Sequence, residues 1–425
     1  MKKIIAIILC SIILCGCEAR QIITYTEDEA TNTTSQSSLT SKTSADINFL
    51  SKIYKAKNTT NYNNSMLFPT TGFKSVDENQ YFYYSNLSQN YKSLYKKLCT
   101  SIECMADGFI DLGYINDNEI DDLVTAIKND RPEYFWLGHD FIINTQNDGF
   151  KQIAFKFKSN DYSIDYLYSL NDRNKILSDI KNKILNIANN LKNKSAYEIE
   201  LYIHDYINKN CNYDKSAINN ATKKPYAYNI VGSILQGKAV CEGYAKAIQL
   251  LNNYFGINTT VLVGLANNQN HMWNLVQIDG NYYHLDATFN DGENENLYSY
   301  FNLTDIAIKR THKLDMKFYK NITLPGANSY EKSYFVVNKS FITEYPEQDI
   351  ESAINEALVN QISSLDFGYY DNATTIYKNS DEMSKDNINI TQIFNKACMK
   401  NRVKIENIKI VFASNGNFKL MWDYK

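Results

Sequence analysis

The chain has 425 residues, 44% apolar and 13% aromatic, with 16 Gly and 5 Pro. These proportions exclude a collagen-like or wholly disordered chain and leave enough apolar side chains for two or three folded units without disulfide staples. Forty-four Lys and Arg against 47 Asp and Glu give a formal charge of −3, and no basic block interrupts the sequence, so nucleic acid is not an expected partner.

Lys2 and Lys3 precede an apolar run from Ile4 to Leu14 that is interrupted only by Cys10 and Ser11. A positive start and a short apolar run read as a secretory signal, because a membrane-spanning helix needs roughly 20 such residues. Leu14-Cys15-Gly16-Cys17 then resembles the bacterial lipoprotein signal, in which the Cys is acylated and becomes the first residue. The resemblance implies that residues 1–16 are removed and that Cys17 carries a lipid. It also implies a chain held on the outer side of the cell membrane, in a bacterial envelope. The alternative is an ordinary secretory signal cut nearby. With Cys17 lipidated, Cys99, Cys104, Cys211, Cys241 and Cys398 remain, an odd set that leaves at least one thiol outside any disulfide. A bond between Cys99 and Cys104 is not expected, since five helical steps turn the two thiols roughly 140° apart.

Residues 17–75, rich in Ser and Thr as in Thr31-Asn32-Thr33-Thr34-Ser35, are expected to form a flexible tether. The folded body then divides, by pattern, into an extension over 76–194, a core over 195–324 and a small α+β unit over 325–425. In the extension, Asn116 and Glu119 form a capping box ahead of Ile120, Leu123, Val124 and Ile127, and that helix should stop before Pro132. Ile153, Phe155 and Phe157 alternate with Gln152, Lys156 and Lys158, the pattern of a strand with one wet face. Ile176, Ile180, Ile184 and Ile187 mark a long helix. Ser195 and Glu198 cap another with Ile199, Ile203 and Ile207 on its stripe. Beyond 325, a helix carries Ile350, Ile354, Leu358, Ile362 and Leu365. Another carries Ile393, Phe394, Ala397 and Cys398, and Asn415-Gly416 signals a hairpin.

The chemistry concentrates in the core. At Val240-Cys241-Glu242-Gly243-Tyr244-Ala245 a loop gives way to a helix whose apolar face is Ala245, Ile248, Leu251 and Phe255, with Gly256 as a natural stop. Cys241 therefore falls on the first turn, where unpaired N–H groups and the helix dipole stabilise a thiolate. Downstream, Asp279-Gly280 favours a two-residue hairpin turn. That turn sets Ile278 across from Asn281, Trp273 across from Asp286 and His271 across from Thr288. His271 and Asp286 then become diagonal neighbours on one face. A three-residue loop would put them on opposite faces. A thiol, an imidazole and a carboxylate supply the nucleophile, the proton carrier and the group that orients it.

Val240-Cys241-Glu242-Gly243-Tyr244-Ala245, His271-Met272-Trp273-Asn274 and Asp286-Ala287-Thr288 resemble, in this order and spacing, the transglutaminase-like superfamily. Tyr213-Asp214 and Asp130-Arg131-Pro132-Glu133-Tyr134-Phe135-Trp136 extend the likeness. It implies an α+β, papain-like core in which the helix carrying the Cys packs on an antiparallel sheet carrying His and Asp. The resemblance further implies catalytic roles for Cys241, His271 and Asp286, a protein or peptide substrate at the cell surface, and no cofactor. Gln236, Trp273 and Asn274 are candidate oxyanion donors or cleft walls, and Asn274 is the reserve partner for His271. Such domains include acyl transferases, cysteine peptidases and members that have lost activity. The expected function is thus a lipid-anchored hydrolase or acyl transferase working through a thioester, or alternatively a surface binding or scaffold protein that keeps the fold. No Cys or His pair has zinc-finger spacing, so no metal is expected. Asp286 is expected to line an open cleft, His139 to lie on the surface, and His204 and His284 to be structural; His312 has no assignable role.

Overall fold

The computed structural model describes residues 22–26, 81–159, 163–218, 220–291, 298–369, 371, 373 and 375–425. The signal region and Cys17 lie outside the described residues. So does most of the expected tether, but Ile22–Thr26 within it is a strand paired in parallel with Phe141–Thr145. Its Ile-Ile-Thr-Tyr-Thr run is β-branched and aromatic throughout, a strand composition that the Ser/Thr richness of its surroundings masks.

The chain forms an α+β structure of two compact units, Met1–Lys192 with Asp214–Gly256, and Asn193–Tyr213 with Ile257–Lys425. The boundaries expected near 195 and 325 are not followed. The chain crosses between units inside the expected core, and residues 325–425 belong with Ile257 onward, because the tip of their last hairpin is hydrogen-bonded to Ser299.

In the first unit, Ile22–Thr26, Phe141–Thr145, Lys151–Ala154 and Ile110–Gly113 make one sheet in that order. The helix Asp117–Asp130 begins as its capping box predicts, with the Glu119 carboxylate accepting the Asn116 N–H at 2.9 Å, and buries Ile120, Leu123, Val124 and Ile127. The expected wet strand face is absent at 152–154. Gln152 is buried because its amide donates to Asp111 at 2.7 Å and accepts from Asn144 at 2.9 Å, and the strand ends before Phe155. Asp130-Arg131-Pro132-Glu133 works as a clasp. The Asp130 carboxylate accepts the N–H groups of Tyr83 and Tyr84, and Arg131 pairs with Glu133 and Glu103. Burial pushes the Asp130 carboxyl up to about 7.

The second unit holds two sheets. One runs Asn281–Leu285, Gln269–Ile278, Thr259–Ala266, His312–Leu314, all antiparallel. The other runs Phe341–Ile342, Ser364–Tyr369, Phe418–Tyr424, Ile405–Phe412. The helix Pro346–Val359 stops short of Ile362 and Leu365; Leu365 instead lies on a strand. With the helix Ile390–Asn401 it covers one core around Ile350, Ile354, Phe367, Phe394, Leu420 and Trp422. Asn415-Gly416 lies in the longer turn between paired Phe412 and Phe418 rather than forming a two-residue turn. No disulfide joins the described cysteines, and no helix among the described residues is long and apolar enough to cross a membrane.

Candidate active site

Cys241 is the first residue of the helix Cys241–Tyr254, after an extended Val240. The helix start is fixed by backbone. The Val240 N–H donates to the Ala227 carbonyl at 2.9 Å, and the Ser233 hydroxyl donates to the Gly243 carbonyl at 2.9 Å. A side chain at position 243 would press on the Ala227 carbonyl at 2.6 Å, so the helix can seat this closely only with glycine there. Tyr244, Ala245, Ala247, Ile248 and Leu251 are all buried, which makes this a core helix with little wet face. Cys241 is itself 2% exposed. Its thiol thus sits where the first-turn N–H groups and the helix dipole favour an anion.

On the same unit, Gln236 ends a π-helical turn, Val231–Gln236, and is exposed. Glu242 and Lys246 pair at 2.6 Å beside a small hollow that Arg131, Tyr228 and His139 also line. His139 is therefore not a plain surface residue. Half-buried, it meets the Tyr228 ring edge-on, and desolvation pulls its pKa down to about 4.

On the second unit the hairpin has the predicted register: Ile278 faces Asn281 and Asn274 faces Leu285. Asp279 and Gly280 both have positive φ, 50° and 85°, the requirement of a tight primed turn that Gly meets without strain. His271 and Asp286 consequently share a face, and the His271 Nε2 lies 2.7 Å from the Asp286 Oδ2. An ionised carboxylate only accepts, so Nε2 carries the proton and Nδ1 is the basic nitrogen of the neutral ring.

Asp286 does not line an open cleft. It is 1% exposed, and its Oδ1 accepts the Phe289 N–H at 3.1 Å, capping the short helix Ala287–Asn290. Burial alone would raise its pKa, but the imidazoles of His271 and His312 hold the carboxyl well below its ordinary range.

His312 is the residue that sequence reasoning missed. Its Nε2 lies 2.9 Å from the same Asp286 Oδ2, and its Nδ1 is 2.9 Å from the Thr311 hydroxyl. The strand that carries it, His312–Leu314, has three residues, too few for an alternating pattern to announce it. Its placement comes from pairing with Thr259–Ala266, where a Cβ on Gly264 would collide with the Lys313 carbonyl.

Trp273 shares the His271 face, its ring nearly parallel to the imidazole at 6.2 Å. Its N–H is engaged by the His284 Nδ1 at 3.1 Å, and the His284 Nε2 meets Asp305 at 2.8 Å, so Trp273 is a wall rather than an oxyanion donor. Asn274, one residue on, points to the opposite face, where its amide reaches the Thr260 carbonyl at 3.4 Å. It is therefore not placed to serve as a reserve partner for His271. His204 is buried, its Nε2 meeting the amides of Asn208 and Asn290 at 3.2 and 3.0 Å.

His271, Asp286 and His312 offer three donor atoms within 4.8 Å of one another, a metal-like set among the described residues. The two nitrogens, however, stand 2.7 and 2.9 Å from the shared oxygen, as in hydrogen bonds. Donors around a tetrahedral zinc at roughly 2.0–2.1 Å would be about 3.3 Å apart, so an ion would have to replace both bonds.

Residues 185–287 match the family described as the transglutaminase-like superfamily, a span that includes Cys241, His271 and Asp286 and ends before His312. Among solved structures, the chain is similar to a TGase at 16% identity, over 41% of this chain and 48% of that one, with a TM-score of 0.26. It is also similar to a candidate protease from Parabacteroides distasonis at 12% identity, over 34% of this chain and 39% of that one, with a TM-score of 0.21. The chain thus spans less than half the length of either structure. No curated protein matches it.

Proposed function

We propose that the transglutaminase-like domain of this chain is a cysteine-dependent catalyst that opens an amide or peptide bond through a thioester on Cys241. The Cys241 sulfur bonds to the acyl carbon after its proton passes to the His271 Nδ1. The imidazolium returns that proton to the departing amine as the C–N bond breaks, and Asp286 stabilises the imidazolium in between. Water then releases a carboxylic acid, or a second amine takes the acyl group. The single observation that supports this reading is the buried His271–Asp286 pair, whose 2.7 Å bond engages Nε2 with the carboxylate and leaves Nδ1 as the basic nitrogen that proton transfer requires.

The substrate is a protein or peptide at the cell surface, reached from a lipid on Cys17. Alkylation of the full chain with iodoacetamide, read residue by residue by mass spectrometry, tests the reading. Cys241 should label faster at pH 7 than Cys99, whose thiol burial pushes up to about 12, and His271→Ala should slow that labelling. Labelling of Cys241 at an ordinary rate, unchanged by His271→Ala, would instead favour a scaffold that keeps the fold without turnover.

A further inference from the structure

One carboxylate oxygen serves two imidazoles. The Asp286 Oδ2 is 2.7 Å from the His271 Nε2 and 2.9 Å from the His312 Nε2, and all three side chains are buried. A buried carboxylate with a single imidazole partner has two ways to avoid an isolated charge. It can take the Nε2 proton of the imidazolium form, leaving both groups neutral, or it can rotate away. A second N–H on the same oxygen opposes both. It makes the carboxylate a poorer base, so the proton stays on the His271 Nε2, and it pins the carboxylate plane from the far side. The Phe289 N–H on Oδ1 closes the remaining direction.

We propose that His312 is a positioning residue. By donating its Nε2–H to Asp286, it keeps that carboxylate ionised and oriented toward His271, and so sets how strongly His271 holds a proton. This deepens the thioester reading and rests on it for the role of His271. The bland alternative is packing, since the His312 ring also sits against Trp273 at 4.9 Å, Phe289 at 5.0 Å and Tyr300 at 5.6 Å. The tautomer supports the donor role: the Thr311 hydroxyl next to Nδ1 can donate to it, which leaves Nε2 protonated. Among the described residues of this unit, the other titratable groups near the cluster include His284 behind Trp273, with Asp305 and Lys309 beyond it, and Tyr300 across His312. Burial moves both away from neutrality, lowering the pKa of His284 and raising that of Tyr300 to about 12.

Two substitutions separate donor from packing. His312→Gln places an amide N–H near the Nε2 position and loses the ring; His312→Phe keeps a ring and loses the donor. The readout is the titration of His271 in the full chain, followed by NMR of nitrogen-15-labelled histidine, which requires no substrate. In His312→Phe the unshared carboxylate should hold the imidazolium more strongly and raise the His271 pKa by roughly one unit, while His312→Gln stays close to wild type. With a substrate in hand, kcat should fall by roughly 10- to 100-fold in His312→Phe at unchanged KM, the factor that a hydrogen bond to a charged group supplies. A His271 titration unmoved in His312→Phe, or moved equally in both variants, overturns the proposal. Failure of the thioester reading shows separately, as ordinary alkylation of Cys241, and leaves the His271 titration able to decide the role of His312.

Discussion

Glu200 offers the sharpest test of the energetics. It lies on the helix Ala196–Asn210 with no exposure, and its Oε2 accepts the Asn302 amide N–H at 2.7 Å. Its Oε1 and the Asn302 Oδ1 are both buried acceptors without a partner. A proton on Glu200 removes a buried charge, and desolvation accordingly raises this carboxyl from 4.5 to about 8. A raised carboxyl means that the folded chain binds a proton that the unfolded chain releases above 4.5. Stability from this group is therefore complete below that value, falls as pH rises and levels off above about 8. At 1.36 kcal/mol per unit, the loss is about 3 kcal/mol at pH 7 and about 5 kcal/mol beyond pH 8. Glu200→Gln removes the charge permanently and should abolish that slope. Urea unfolding followed by tryptophan fluorescence at pH 5, 7 and 8 measures it, since Trp273 and Trp422 both report on this unit. The wild type should weaken between pH 5 and 8 while Glu200→Gln holds level. Parallel pH dependences would show that Glu200 is ionised in the folded chain and refute the argument.

Asp286→Asn should lower turnover by roughly 10⁴-fold, as expected when an orienting carboxylate loses its charge and leaves the wrong imidazole tautomer. It should also cost about 1–3 kcal/mol in denaturant unfolding, because an amide cannot accept from both imidazoles and from the Phe289 N–H without setting one donor against another; unchanged stability would contradict the buried, triply bonded carboxylate. Cys17→Ser should abolish metabolic lipid labelling and move the protein from the membrane fraction to the soluble one, and persistence of both would sink the lipoprotein reading.

What could be read in advance follows from how local each signal is. The capping boxes at Asn116 and Ser195 involve residues three apart, and both helices start there. The His271–Asp286 pairing needed only a two-residue turn and strand parity, both properties of one hairpin. Long-range partners left no such trace. Gln152 looked like a solvent-facing residue because Asp111 and Asn144, which satisfy its amide, are far along the chain. Glu200 belongs by sequence to the polar part of an amphipathic helix, and only Asn302, 102 residues on, makes its burial tolerable. His312 was silent for the same reason, since its partner on Asp286 is 26 residues away on a different strand.

The C-terminal elements show how such distant partners reach the site. By sequence they carry no chemical constellation, and they have a core of their own. Yet the turn between their last two strands is spent on the residues around the aromatic wall. The amides of Asn415 and Asn417 donate to the Ser299 carbonyl at 2.8 and 3.0 Å, and Ser414 meets the Tyr300 hydroxyl at 2.8 Å. Tyr300 in turn packs on Phe289 and His312, while its backbone carbonyl accepts the Asp286 N–H at 2.9 Å. Buried side-chain amides of this kind are costly unless paired, so the turn and the 299–300 segment hold each other in register. The chain after residue 325 therefore braces two of the groups that position Asp286, namely its own backbone N–H and the His312 ring. This coupling accounts for an otherwise separate core belonging to the same compact unit as His271 and Asp286.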